Sequence, residues 1–122
     1  MAVTTSTASS PLVTTIITDT DADTSVETAA SAAQFLYFVE IFNQNSVDVY
    51  VKIFAAASGS SSTTQHYLQL YCPSNTTCYM YIPASLAIAS GIQFYASSEP
   101  GAVNSQSNPD TDVTITIGCT PQ

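Results

Sequence analysis

The side chains able to do chemistry in this chain are few and do not converge. His66 is the only histidine and so the only group whose ordinary pKa suits a general base near neutrality. It opens an apolar run, and no Gly-x-Ser-x-Gly elbow occurs anywhere, so a nucleophilic triad is not indicated and His66 reads as an edge residue. Asp19-Thr-Asp-Ala-Asp23 has the alternating acids that begin a calcium loop. Thr24, however, stands where the sharp turn needs glycine, and Ala30 where the bidentate Glu belongs, so the run reads as a solvated acidic turn. Asp110 and Asp112 have no third acid nearby, and Asp112 reads as the start of a strand.

Cysteine chemistry is left open. Cys72-Pro-Ser-Asn-Thr-Thr-Cys78 brackets five residues between two strand-like runs. Paired as a hairpin, those runs would bring Cys72 and Cys78 to a separation of roughly 4.5–5.5 Å, which permits a disulfide. Two buried thiols are the alternative, and the redox compartment would decide between them. With His66 and Cys119 added, the spacing matches no zinc pattern, so neither a metal nor a cofactor is expected. Asn75-Thr-Thr77 fits the N-glycosylation rule, which matters only in a eukaryotic secretory pathway.

The charge balance excludes whole classes of function. One Lys, no Arg and nine Asp or Glu give a net charge of −8, reached with only 8% charged residues. Lys52 and a neutral His66 cannot form the cationic footprint that phosphate neutralisation demands, so no nucleic acid is expected as partner. A polybasic membrane contact fails for the same reason. No run reaches the roughly 18 apolar residues of a membrane span, and the N-terminus lacks a basic and apolar leader, so a soluble protein without a standard signal peptide is expected. Polarity is carried by 17 Ser and 17 Thr instead of ions. At 45% apolar with 12 Phe and Tyr, the chain has the material for one core, and 122 residues suit one domain.

The elements that would position these groups are strands. Residues 1–31, rich in Thr, Ser, Ala and Asp, hold one β-like island, Leu12 to Thr18, and read as an extended N-terminal arm. Leu12, Val13, Ile16 and Ile17 are its anchors, suited to pairing with a neighbouring subunit's sheet edge. From residue 32 onward the chain reads as the β-sandwich domain, 32–122. Its apolar runs are Gln34 to Phe42, Asp48 to Phe54, His66 to Cys72, Cys78 to Ile82, Ile92 to Ala96 and Val113 to Ile117, separated by Asn, Ser, Gly and Pro clusters. Ala84 to Ser90 reads as an irregular connection. Short strands, frequent turns and no amphipathic helix predict an all-β fold, an antiparallel β-sandwich of jelly-roll or Ig-like type.

Alternation then sorts the faces. Val49, Val51, Ile53, Leu68, Leu70, Cys78, Met80, Ile82, Ile92, Phe94, Val113, Ile115 and Ile117 form an aliphatic inner set. Six of the seven tyrosines, Tyr50, Tyr67, Tyr71, Tyr79, Tyr81 and Tyr95, fall on the opposite face. They are either half-exposed strand formers or contact surface, a use that suits amphipathic rings. Phe35 to Phe42 is apolar on both faces, Phe35, Tyr37, Val39, Ile41 and Leu36, Phe38, Glu40, Phe42. A strand covered on both sides is expected there, centrally or by a neighbouring subunit.

Four segments carry a family resemblance. They are Asn45-Ser-Val-Asp-Val-Tyr-Val-Lys-Ile-Phe-Ala55, Ile82-Pro-Ala-Ser-Leu86, Leu86-Ala-Ile-Ala-Ser-Gly-Ile92 and Pro109-Asp-Thr-Asp-Val-Thr-Ile-Thr-Ile-Gly118. In this order they resemble a small β-sandwich module recurrent in structural proteins of tailed bacteriophages. The resemblance spans about residues 34–118, leaves out the arm, and departs in the cysteine-bracketed loop and the tyrosine content. It implies a virion surface component without catalytic activity: a capsid decoration or cement protein, assembled in the host cytoplasm, whose partners are the major capsid protein and neighbouring copies of itself. The alternative it implies is a host-receptor or glycan-binding module of a head or tail fibre. The absence of heptads or repeats favours decoration.

Overall fold

The computed structural model describes residues 3–7, 13–102, 106–109, 111 and 113–122. Among these residues nine strands follow in order: β1 Val3–Thr7, β2 Thr15–Ala22, β3 Glu27–Ala30, β4 Gln34–Asn43, β5 Val49–Phe54, β6 Leu68–Cys72, β7 Thr76–Ile88, β8 Ile92–Ser97 and β9 Val113–Pro121. They form two antiparallel sheets, one of five strands in the order β1-β2-β9-β4-β7 and one of four in the order β3-β8-β5-β6. The protein is an antiparallel β-sandwich. Its core is the aliphatic set that alternation selects. Val49, Val51, Ile53, Ile92, Phe94, Val113, Ile115 and Ile117 are all at most 1% exposed, and Leu36, Val39 and Ile41 face them from β4.

The N-terminal segment departs from the arm expected over 1–31. β2 pairs in register with β9 of its own chain, Ile17 opposite Ile117, and β3 pairs with β8. Ile17 and Ala22 point into the core at 1% and 2% exposure. The anchor assigned to a neighbouring subunit thus lies against this chain's own sheet, which satisfies the β2 backbone and buries Ile17 together. Ile16 faces outward and is half-buried, Val13 is half-buried just before β2, and Leu12 lies outside the described residues. The acidic turn proves to be the end of β2. Asp19 is buried, accepts the Asp21 N–H at 3.1 Å on one oxygen, and has its carboxyl pushed up to about 6, chiefly by desolvation.

Three further expectations are corrected. First, β6 and β7 are not a hairpin, because they lie in different sheets and the turn between them is a corner of the sandwich. Buried Asn43 fixes that corner, its Nδ2 donating to the carbonyls of Val47, Cys72 and Pro73 at 3.0–3.2 Å. Second, β7 runs on through the connection expected at Ala84, ending at Ile88. Its register against β4 jumps between Tyr81 and Leu86, so Ile82 to Ser85 bulge out with Pro83, which has no N–H to lose to a ladder. Third, the faces of β4 change partway along. Phe38 pairs with Gly118 but Leu36 with Cys119, which leaves Tyr37 as an extra residue. That bulge shifts the alternation by one. Leu36, Val39 and Ile41 therefore all point inward, and Phe35, Tyr37, Phe38, Glu40 and Phe42 share the outer side. Among the described residues this chain covers the strand on its inner face alone, which leaves a neighbouring subunit as the expected cover for the other.

Candidate functional site

The groups singled out for chemistry stay apart. His66 lines a shallow cavity of about 310 Å³ with Phe54, Ser60, Thr64 and Tyr67. Its Nδ1 has no hydrogen-bond partner, so no acid orients the ring as a triad requires. Burial, and then Lys52, hold its pKa below the usual value. Among the described residues no group of three His, Cys, Asp or Glu is arranged to hold a metal; Asp110 and Asp112 lie outside that set. Cys72, Cys78 and Cys119 are thiols. Cys72 Sγ donates to the Thr76 carbonyl at 3.3 Å, and burial, followed by hydrogen bonding to Cys78, pushes it up to about 12. Such a thiol is a poor nucleophile. Burial likewise raises Cys119 to about 11.

The tyrosines divide in a way alternation alone does not show. Tyr67, Tyr71, Tyr79 and Tyr81 are 51%, 52%, 55% and 67% exposed. Tyr50 is half-buried beside Tyr71, with ring centroids 5.4 Å apart. Tyr95, expected on the contact surface, is buried at 1%. The reason is the β8–β9 connection, which folds over the outer face of the four-stranded sheet. Gly101 N–H donates to Gln69 Oε1 at 2.7 Å, and Lys52 Nζ donates to the Glu99 carbonyl and, at 2.8 Å, to Gln106 Oε1. The ammonium also lies 5.0 Å from the centre of the Tyr95 ring, which stacks on Phe54. Burial lowers the Lys52 pKa to about 8, against the opposing pull of Glu99.

The outer face of the five-stranded sheet has no such cover among the described residues. One register row reads Ile16, Gly118, Phe38, Tyr81 from β2 to β7; the next reads Thr18, Thr116, Glu40, Tyr79. Phe42, 42% exposed, follows opposite Thr77. Gly118 makes room for the first row, because a Cβ there would stand 2.1 Å from the Phe38 ring. Phe38 in turn leans on Tyr81 at 6.2 Å, and Tyr79 and Tyr81 stack at 5.8 Å with 10° between their planes. The aromatic surface continues around the sandwich edge. There β6 and β7 part over a cleft of about 160 Å³, floored by Val39, Ile41, Leu70 and Met80 and rimmed by Tyr71 and Tyr79. Tyr71 is held in place by donating to Asp48 Oδ2 at 3.0 Å.

Sequence reasoning missed Phe38, Glu40 and Phe42 as parts of this surface. The available signal was that β4 is apolar on both faces, which demands an occupant for each.

No family model and no curated protein sequence matches the chain. Among solved structures it is similar to the coat protein of Tobacco streak virus, with 10% identity over 98% of this chain and 86% of that one, at a TM-score of 0.39. It is also similar to the cupin domain of Drosophila melanogaster CENP-C, with 8% identity over 95% and 74%, at a TM-score of 0.31. Both likenesses are too distant to bear on function. The class of protein, an antiparallel β-sandwich, rests on the strand pairing itself.

Proposed function

We propose that this chain is a non-catalytic virion structural subunit, a capsid decoration or cement protein of a tailed bacteriophage, that docks on the shell through the outer face of the five-stranded sheet and its β7 edge. The observation that carries this reading is the set of outward-facing aromatics on one sheet, Phe42, Tyr79 and Tyr81 exposed and Phe38 half-buried among them. Rings of this kind, locked before contact, lose little entropy on binding and serve as interface anchors. The resemblance of residues 34–118 to phage sandwich modules supplies the setting, and the acidic, hydroxyl-rich remainder keeps the unattached subunit soluble.

The test is attachment of purified variants to shells prepared without the subunit. Tyr79→Ser combined with Tyr81→Ser should weaken attachment at least tenfold, about the effect of losing one interface anchor. Full attachment of the double variant rejects this face as the docking surface. The stacked Tyr79 and Tyr81 rings also support a second reading, a receptor- or glycan-binding fibre module. Copy number separates the two: hundreds per particle for decoration, tens or fewer for a fibre tip.

A further inference from the structure

Glu40 is the only charged residue along β4, β7 and β9. It stands opposite Tyr79 on one side and Thr116 on the other, with Phe38 and Phe42 two residues away on the same face and Tyr81 on the diagonal. Directly opposed side chains in such a ladder are about 4.5–5.5 Å apart at Cβ, and diagonal ones about 7–8 Å. A half-buried carboxylate is thus ringed by four aromatic side chains. Among the described residues no hydrogen bond or ion pair reaches it. The chain's single Lys is committed to the opposite sheet and there is no Arg, so this polypeptide cannot neutralise Glu40 with a Lys or Arg of its own.

Any surface that covers the aromatic ring strips water from this carboxylate, and an unpaired buried carboxylate is costly. The occupant must bring the countercharge. We infer that this face is a socket for an arginine side chain presented by the protein on which the subunit docks, with the guanidinium paired to Glu40 and lying flat on the Tyr79 and Phe38 side of the ring. Arginine fits better than lysine because its planar fork meets a carboxylate bidentately while its face stacks on aromatics. A second copy of this chain cannot be the occupant, since its one cation is buried and each copy carries −8. The inference rests on the docking reading above.

The experiment is a backbone-amide NMR titration of the full chain with a short Gly-Ser peptide carrying two arginines, with its citrulline counterpart as the neutral probe. Shifts should concentrate on Phe38 to Phe42, Tyr79, Tyr81 and Thr116. The citrulline peptide should bind at least tenfold more weakly, a difference on the scale of a charge-assisted pair with a stacked cation. Glu40→Gln, which keeps shape, should lose about tenfold for the arginine peptide, while Glu99→Gln, which removes the same charge from the exposed connection over the other sheet, should lose less than twofold. Equal losses in the two variants would mean that only the general field of an acidic protein is sensed, and would overturn the socket. Equal binding of both peptides would overturn it in favour of a neutral ligand on the rings. Shell attachment separates this inference from its foundation. Tyr79→Ser with Tyr81→Ser detaching while Glu40→Gln stays fully attached rejects the socket and keeps the docking face; attachment of every variant rejects the docking face itself.

Discussion

Lys52 and Glu40 occupy comparable stations on opposite sheets, each a lone charge among aromatic rings. Around Lys52 the chain closes over its own polar problem. The β8–β9 connection brings the Glu99 carbonyl and Gln106 Oε1 to the ammonium, and Tyr95 and Phe54 are buried beneath the same cover. Around Glu40 nothing comparable happens among the described residues, and Tyr79, Tyr81 and Phe42 stay open to water. Composition does not distinguish the two faces, since both are built from aromatic and hydroxyl side chains. The difference is that one face receives its complement from the same polypeptide and, among the described residues, the other does not. A finished face contributes to folding; an unfinished one is available for association.

The largest effect on folding is expected at the finished face. Lys52→Ala should destabilise the fold by about 2–4 kcal/mol, because it deletes a fully buried stem and orphans two acceptors. Urea unfolding measures that loss, and hydrogen exchange should show residues 98–102 losing protection. A variant as stable as the parent would mean that the cover contributes nothing.

At the unfinished face the largest expected effect on folding is smaller. Gly118→Ala places a methyl on the Phe38 ring, and displacing that ring should cost about 1–3 kcal/mol. Unlike Lys52→Ala it should also weaken shell attachment, because it disturbs the row that ends at Tyr81. Loss of stability with unchanged attachment would separate Phe38 from the docking surface.

A pH series sharpens the contrast further. Lys52 holds its proton to about pH 8 in the fold, against an ordinary value of 10.5. Below about pH 8 both folded and unfolded chains are protonated there, and the cost of burying the charge is borne in full. From pH 8 toward 10.5 the folded chain releases that proton first, so the Lys52 contribution to stability should rise with pH across that window, while the buried thiols of Cys72 and Cys119, which the unfolded chain ionises near 9, pull the other way. Urea midpoints of the parent and of Lys52→Met at pH 7, 8, 9 and 9.5 isolate the lysine, and the parent should gain on the variant as pH rises. A constant difference between the two would show that the ammonium is better solvated than its burial indicates.

The smallest effect compares two hydroxyls. Tyr95 Oη is buried with no partner in the structure, so Tyr95→Phe should leave stability unchanged or raise it by up to about 1 kcal/mol. Tyr79→Phe, on the open side, should stay within about 0.5 kcal/mol of the parent. A clear loss in Tyr95→Phe would reveal a partner for that hydroxyl and a more polar interior beneath the cover.

Much of the sandwich was legible in the residues alone. The six apolar runs from Gln34 to Ile117 became β4 to β9 with ends shifted by a few residues, because period-2 alternation and Gly, Pro and Asn punctuation are local properties of a strand and its turns. The same alternation selected Val49, Val51, Ile53, Ile115 and Ile117 for the core. It also brought Tyr67, Tyr71, Tyr79 and Tyr81 to the surface.

Tertiary structure decided everything that depended on what lies across from a strand. Thr15 to Ala22 looks like an arm because its composition is polar, yet β9 offers it a ladder and a core position for Ile17, and both come from residues a hundred positions away. Tyr95 and Tyr79 are equivalent by alternation, but the path of a distant connection buries one and leaves the other exposed. The extra residue at Tyr37 shifts one strand by a single position, which turns Phe38, Glu40 and Phe42 outward together. Alternation is set by each residue's own backbone, whereas the cover on a face and the place of a bulge are set by partners remote in sequence, which no local pattern encodes.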